Sequence, residues 1–133
     1  MKRLREATAD MARFGELRFL YVGTDKFEED LAYYSGSIGA RVIWNRRAFG
    51  ARVAALSLGE GPLWLLADHR PPRTCLPIFE VKDLRRAMKE LKGSGAEPER
   101  GPLEIPNGPC CVFRDRSGNE FAIFQDVRPG VMG

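Results

Sequence analysis

Two adjacent side chains in this sequence, Asp68 and His69, could carry out acid–base chemistry. His69 is the single histidine of the chain, and Asp68 comes directly before it. An aspartate beside a histidine is the kind of base and orienting carboxylate that general acid–base catalysis uses. Adjacent residues of an extended strand point to opposite sides, however, which makes a direct contact between these two side chains awkward. The simpler interpretation is a solvent-exposed strand end, and His69 is kept as a candidate acid or base.

Glu80 is a candidate catalytic residue because it belongs to the apolar strand CLPIFEV, residues 75–81. It shares one side of that strand with Leu76 and Ile78, so its carboxylate would point into apolar surroundings. A carboxylate in such surroundings can act as a general base or anchor a ligand. A solvated carboxylate near a strand end is the ordinary alternative, and both interpretations stay open.

The three cysteines, Cys75 and the adjacent Cys110 and Cys111, do not indicate a metal or redox site. They form neither an even disulfide set nor the Cys-x-x-Cys spacing of zinc and redox motifs. Because free cysteine is commonly an interior residue, we expect buried or half-buried strand thiols.

Composition and charge limit the classes of function. The chain has 133 residues, 44% hydrophobic and 29% charged, which suits one compact domain or two very small fused halves. Its net charge of +3 comes from scattered basic residues, so it does not indicate nucleic acid and mildly favours an anionic small ligand. The apolar runs fall far short of the roughly 20 residues that span a bilayer. The N-terminal MKRLREATADMARF is too charged for a signal peptide. We therefore expect a cytoplasmic protein with no membrane partner.

The chain repeats one order of predicted elements. In the first half a strand at 16–22 precedes a helix that Asp25 and Glu28 would begin as a capping box. The apolar face of this helix would be Phe27, Leu31 and Tyr34, and Gly36 and Gly39 would end it. Three further strands are predicted at 40–46, 51–58 and 62–68.

After the linker at 69–73 the same order returns. A strand at 75–81 leads to a helix capped by Asp83, with its apolar positions at Leu84, Ala87, Met88 and Leu91. A short extended piece at 97–100 precedes strands at 110–115 and 120–126. Matching landmarks in the two halves are Val22 with Val81, Gly39-Ala40 with Gly95-Ala96, and Trp64 with Ala122.

The predicted fold is therefore α+β, with two βαβββ repeats that form facing mixed sheets around a cleft. We expect a helical N-terminal extension at 1–14, a first unit at 15–70, a second unit at 74–127 and a tail at 128–133.

Three stretches carry a resemblance to a known family. FLYVGTDKFEEDLAYYSGSIGARV in the first half, IFEVKDLRRAMKELKGSGA in the second and the terminal DRSGNEFAIFQ together resemble the vicinal-oxygen-chelate superfamily over about residues 15–127. This superfamily includes glyoxalase I, bleomycin-resistance proteins and extradiol dioxygenases. The resemblance implies U-shaped sheets around a ligand cavity, commonly within a homodimer.

The metal-ligand positions that the resemblance implies hold residues without ligand atoms. They fall on the first and last strands of each half, at Leu17, Trp64, Leu76 and Ala122. Alkyl and indole side chains cannot bind a hard divalent cation. The residues next to them do not help either: Arg18, Leu63, Leu65, Pro77, Phe121 and Ile123. One histidine is also too few for the two-histidine iron site of the dioxygenases. We expect no metal and no cofactor.

The cleft that remains would be lined by alternating residues of four strands. The predicted ligand-binding residues are Leu17, Phe19, Tyr21, Trp64, Leu66, Leu76, Ile78, Glu80, Ala122 and Phe124. Such a lining, mostly apolar with few polar groups, is typical of a small-molecule pocket, although the same side chains could simply fill the core. Possible rim residues are Trp44, Arg46, Arg47 and Arg52.

Two functions follow from this lining. The first is a metal-free protein that binds a hydrophobic or aromatic small molecule, with an anionic one favoured by the net charge, as bleomycin-resistance proteins bind drugs. The alternative is a metal-independent isomerase or lyase that uses Glu80, Tyr21 or His69 as acid or base. A third alternative is a structural or regulatory dimer whose cavity is filled.

Overall fold

A computed structural model describes residues 14–48 and 50–130 of the chain. These residues cluster into two compact units. We call Arg18–Pro77 the N-terminal unit, and residues 78–130 together with 14–17 the C-terminal unit. The predicted N-terminal helix lies outside the described residues except for Phe14, as does the end of the predicted tail, 131–133.

The boundary between the units falls inside the first strand because residues just before it pair with the C-terminal unit. The Gly15 amide donates to the Glu80 carbonyl at 2.7 Å, and the Glu80 amide donates to the Glu16 carbonyl at 2.9 Å. Phe14 adds an edge-to-face contact with Phe79, with 5.2 Å between ring centroids. The segment 14–16 is thus held by the C-terminal unit.

The N-terminal unit has a four-stranded mixed sheet and one helical segment. Its elements are β1 (Leu17–Gly23), α1 (Phe27–Ala32), a π-helical continuation (Tyr33–Ile38), β2 (Arg41–Ala48), β3 (Ala51–Ser57) and β4 (Leu63–Ala67). The strand order is β2-β3-β4-β1, with β1 parallel to β4 and the other pairs antiparallel. Gly39 ends the helical segment in the left-handed region, as predicted, with φ of 84°, whereas Gly36, also predicted to end it, lies within Tyr33–Ile38.

The start of α1 differs from the predicted capping box of Asp25 and Glu28. Lys26 is the N-cap residue, and no side chain caps the helix there. The turn is held instead by Thr24, whose hydroxyl accepts from the Lys26 amide at 2.9 Å and donates to Asp30 Oδ2 at 2.5 Å. A threonine hydroxyl offers both a donor and an acceptor, whereas a carboxylate only accepts.

The helical segment covers one side of its sheet. Phe27 of α1 lies in a buried cluster with Ala40, Ala54, Leu56 and Leu66. Four half-buried residues pack against this cluster: Val22, Leu31, Tyr34 and Trp64. The helical periodicity of Phe27, Leu31 and Tyr34 was therefore a correct prediction of the buried helix face.

The C-terminal unit has the same order of elements. They are β5 (Cys75–Glu80), α2 (Leu84–Gly93), β6 (Glu97–Ile105), β7 (Gly108–Arg114) and β8 (Glu120–Phe124). The unit boundary falls inside β5, and this unit contains the strand from Ile78 on. The strand order is β5-β8-β7-β6, with β5 parallel to β8. Asp83 caps α2 as predicted, because its carboxylate accepts from the Arg86 amide at 3.1 Å.

The core of the C-terminal unit lies between α2 and its sheet. It contains Val81, Leu84, Ala87, Leu91, Cys111, Phe113 and Ile123. Cys110 and Cys111 are buried as predicted, whereas Cys75 is exposed. Strand β6 is longer than the predicted extended piece at 97–100. Its pairing with β7 continues to Ile105 because two irregularities in the register interrupt the pairing without ending it.

The α+β class with mixed sheets is confirmed, whereas the facing arrangement around a cleft stays a prediction. Within residues 14–48 and 50–130, every helix is too short or too polar to cross a bilayer.

Candidate functional site

The register of β1 against β4 defines which side chains share a side of the N-terminal sheet. Phe19 lies opposite Leu63, and Tyr21 lies opposite Leu65. Partners in register point to the same side, and the side away from α1 therefore carries these four residues. The register of β2, β3 and β4 adds Ala67, Ala55, Val53, Trp44 and Arg46 to that side. We call these nine residues the Tyr21 face.

Trp64 and Leu66 do not belong to the Tyr21 face, in contrast to the prediction. They lie opposite Leu20 and Val22, and both pack beneath α1. The prediction was displaced by one residue because it matched Trp64 with Ala122. In the N-terminal sheet Leu65 pairs with Tyr21, and in the C-terminal sheet Phe124 pairs with Glu80. Leu65 is therefore the counterpart of Phe124.

Leu63 is accordingly the structural counterpart of Ala122. The last-strand position that the family resemblance assigned to Trp64 in the first half therefore corresponds in register to Leu63. Its alkyl side chain offers no ligand atom, and the chemical conclusion at that position is unchanged.

The predicted residues of the C-terminal unit do lie together. Ile78 pairs with Ala122, and Glu80 pairs with Phe124, all on the side of the sheet away from α2. Glu80 is half-buried at the end of β5. Leu76, on the same strand and with the same parity, is buried.

Most of the predicted apolar lining is fully buried. The exposed fraction is 1% for Phe19 and 2% for Ile78, and it is 0% for Ala122 and Phe124. Side chains buried to this degree fill the core. This agrees with the second of the two interpretations of the sequence, in which these residues fill the core and do not line a pocket. Leu17 and Tyr21 are half-buried and thus remain partly accessible.

The polar group of the Tyr21 face is a tyrosine–histidine pair. The Tyr21 hydroxyl and His69 Nε2 are 3.1 Å apart, and the two rings meet edge-to-face with centroids 5.3 Å apart. Tyr21 lies near the end of β1, and His69 lies two residues beyond the end of the parallel strand β4. Sequence reasoning treated the two residues separately. The parallel pairing of β1 and β4 could have predicted that Tyr21 and His69 lie close together, because it brings the carboxyl ends of both strands to the same edge of the sheet.

The Tyr21 phenol is protonated at neutral pH, and burial favours that form further. Burial raises the pKa of the phenol to about 12, and the positive charge of Arg70 opposes that rise in part. The Arg70 guanidinium carbon lies 6.0 Å from the centroid of the Tyr21 ring. At neutral pH the phenol can donate to His69 Nε2 when the imidazole carries its proton on Nδ1. The pair therefore offers a neutral proton donor and a base in contact.

Two of the four predicted rim residues lie on the Tyr21 face. The guanidinium carbon of Arg46 lies 4.4 Å from the centroid of the Trp44 ring, a cation–π contact. Arg52 lies instead on the helix side, where its guanidinium covers the Phe27 ring at 4.3 Å and pairs with Glu28. Arg47 is opposite Arg52 in register and so shares the helix side.

The other half of the Asp68–His69 motif is used in local structure. Asp68 Oδ1 accepts from the Arg52 amide at 2.9 Å and so joins the ends of β3 and β4. Among residues 14–48 and 50–130, no group of three histidine, cysteine, aspartate or glutamate side chains could hold a metal ion.

Comparisons with known proteins bear on the fold. No protein-family model matches the chain, and no curated protein matches it. Several solved structures match the chain. A hypothetical protein from Bacillus halodurans C-125 is 16% identical with a TM-score of 0.73, over 86% of this chain and 96% of that one.

Methylmalonyl-CoA epimerases also share this fold. The Mycobacterium tuberculosis epimerase is 15% identical with a TM-score of 0.66, over 89% of this chain and 92% of that one. A variant of the Streptomyces coelicolor epimerase, in complex with 2-nitronate-propionyl-CoA, is 13% identical with a TM-score of 0.68, over 86% of this chain and 99% of that one. At these identities the likeness shows the fold alone.

Proposed function

We propose that this chain is a metal-free small-molecule-binding protein of the vicinal-oxygen-chelate fold. The observation that carries the proposal is the contact between the Tyr21 hydroxyl and His69 Nε2, with Arg70 beside it, on a sheet face that is otherwise mostly apolar. A few placed polar groups next to apolar surface are typical of sites that orient small molecules.

The ligand that these groups suit is an anion with an apolar or aromatic part. Arg70 and Arg46 bring positive charge, and none of the nine residues of the Tyr21 face is a carboxylate. A guanidinium binds a carboxylate well and also stacks on flat rings. An anionic aromatic acid is thus favoured over a cationic drug.

The metal-free character rests on residue types. The metal-ligand positions that the family resemblance implies, with Leu63 in place of Trp64, hold Leu17, Leu63, Leu76 and Ala122. Hydrocarbon side chains at all four positions supply no atom that coordinates a divalent cation.

Thermal unfolding of metal-stripped protein tests this proposal. We expect aromatic carboxylates such as benzoate and naphthoate to raise Tm, and the matched aromatic amines to leave it unchanged. Tyr21→Phe and His69→Gln should abolish the shift, whereas Tyr34→Phe should retain it because Tyr34 packs on the other side of the sheet. Stabilisation by zinc, manganese, nickel or iron alone would contradict the proposal.

A second candidate function is a metal-independent isomerase. Two observations favour it: the contact of a neutral phenol with an imidazole, and the shared fold with methylmalonyl-CoA epimerases. His69 Nε2 would take a proton from a carbon next to a carbonyl, and the Tyr21 O–H would donate a hydrogen bond to the enolate oxygen. Because the two groups are in contact on one side of the substrate, His69 would return the proton to the opposite face after the planar enolate turns over, so the reaction consumes none.

Isotope exchange separates the two candidates. In D₂O, an epimerase would exchange the α-hydrogen of methylmalonyl-CoA for deuterium, which ¹H NMR detects. We expect any exchange to persist in EDTA and to vanish in His69→Gln. Absence of exchange in the unmodified protein would remove the isomerase and leave the binding protein.

A further inference from the structure

A groove of about 700 Å³ runs along α2 in the C-terminal unit. One wall is the helix, and the other is formed by the start of β7 and the residue after β8. The lining residues are Asp83, Leu84, Arg85, Met88, Lys89, Lys92, Pro109 and Gln125. The groove uses none of the residues assigned to the proposed function.

The charge of the groove is positive. Arg85, Lys89 and Lys92 follow one another at i, i+4 and i+7, which places them on one face of the helix. None of the three makes an ion pair with a residue of the described part of the chain. Arg86, by contrast, is neutralised by Glu90, with Nε 3.2 Å from Oε1.

The start of α2 adds to this positive potential. A helix carries partial positive charge at its N-terminus, and Leu84 and Arg85 of that first turn line the groove. Among the described residues that line the groove, Asp83 is the one carboxylate, and its Oδ1 accepts from the Arg86 amide at 3.1 Å as the helix cap. Three cations therefore face one engaged carboxylate.

Apolar surface lies beside the cations. Met88 and Pro109 are half-buried, and the side chain of Gln125 is fixed because its Oε1 accepts the Leu84 amide at 2.9 Å. Methionine is an adaptable partner for flat rings. The groove thus combines an anion-binding row with a place for an apolar or aromatic group.

We propose that this groove binds a nucleoside polyphosphate. Arg85 and Lys92 are separated by roughly 10 Å along the helix axis at 1.5 Å per residue, which is too far for one phosphate to meet all three cations. Several linked phosphates can meet them in turn, while the base contacts Met88 and Pro109.

An NMR titration of the full chain with ATP as the probe tests the proposal. We expect saturable shifts of the amides of Leu84–Gly93 and Gln125, and an affinity that weakens as salt rises. Replacing both Arg85 and Lys89 by glutamine should weaken binding about tenfold or more, since two charge-assisted contacts are lost. Arg86→Gln is the matched control on the same helix and should bind like the unmodified protein.

Each other outcome would overturn the proposal. Shifts that map away from α2, or an equal loss in Arg86→Gln, would show that the groove is not the site. Inorganic tripolyphosphate that binds as tightly as ATP would show that no base is recognised. A duplex oligonucleotide that binds more tightly than ATP would assign the groove to nucleic acid.

Discussion

At the scale of single residues, Tyr21 distinguishes the site from the core around it. Its apolar neighbours Phe19 and Leu65 are fully buried, whereas Tyr21 keeps its hydroxyl in contact with His69. Strand alternation was enough to predict Tyr21 as a polar group among apolar ones. The partner could not be predicted from alternation, because His69 lies beyond the strand and its position depends on the β1–β4 register.

Alkaline titration should show Tyr21 as a tyrosine of raised pKa. The pKa of its phenol in the folded protein is about 12, against an ordinary value of 10.0. The folded state therefore favours the protonated form, so Tyr21's contribution to stability is complete below pH 10 and is lost as pH rises through 12. Absorbance at 295 nm should show a late ionisation that is smaller by one tyrosine in Tyr21→Phe, while Tyr34, whose pKa burial also raises, still titrates late. A variant that keeps the full amplitude of the late step would contradict the assignment.

Asp115 gives a pH prediction of the opposite sign. Its pKa is lowered, first because the Asn119 side chain donates to the carboxylate and then because the Asn119 and Ser117 amides do so. The stability that these bonds contribute is present above the ordinary value of 3.8 and is lost as pH falls through the lowered pKa. ¹³C NMR should find Asp115 among the early-ionising carboxylates, and Asn119→Ala should move its pKa upward. An unmoved pKa would show that the turn does not perturb the carboxylate.

At the scale of elements, the glycine that ends β1 is a steric requirement. A Cβ added at Gly23 would lie 1.8 Å from the Pro71 carbonyl oxygen, and backbone at that position cannot move aside cheaply. We expect Gly23→Ala to destabilise the protein by about 1–3 kcal/mol in chemical denaturation. Gly36→Ala is the control, since nothing lies within 4 Å of its added Cβ. Equal stability of the two variants would contradict the close approach of residue 71 to β1.

The elements themselves were predictable where a local pattern decides them. The helix face of Phe27, Leu31 and Tyr34 and the cap at Asp83 follow from spacing and side-chain chemistry alone. The side of the sheet to which Trp64 points cannot be predicted from such a local pattern. A one-residue displacement in register exchanges the two sides of a strand, and only the pairing with Leu20 fixes it.

At the scale of the whole molecule, the fold was more predictable than the site. Two successive βαβββ patterns predict an α+β fold, and solved structures with TM-scores of 0.73 and 0.66 share it. The accessible part of the site depends on burial, which sequence does not give. The alternating residues Ile78, Ala122 and Phe124 were as consistent with a pocket as with the core in which they lie. The homodimer stays a prediction.

The most direct test of the metal-free site uses the single histidine of the chain. Because His69 is unique, its imidazole signals in ¹H–¹⁵N NMR need no separate assignment. In metal-stripped protein we predict that naphthoate shifts these signals saturably, and that Tyr21→Phe weakens the effect while Tyr34→Phe does not. Signals that ignore the aromatic acid, or that move only when zinc or manganese is added, would contradict the proposed site.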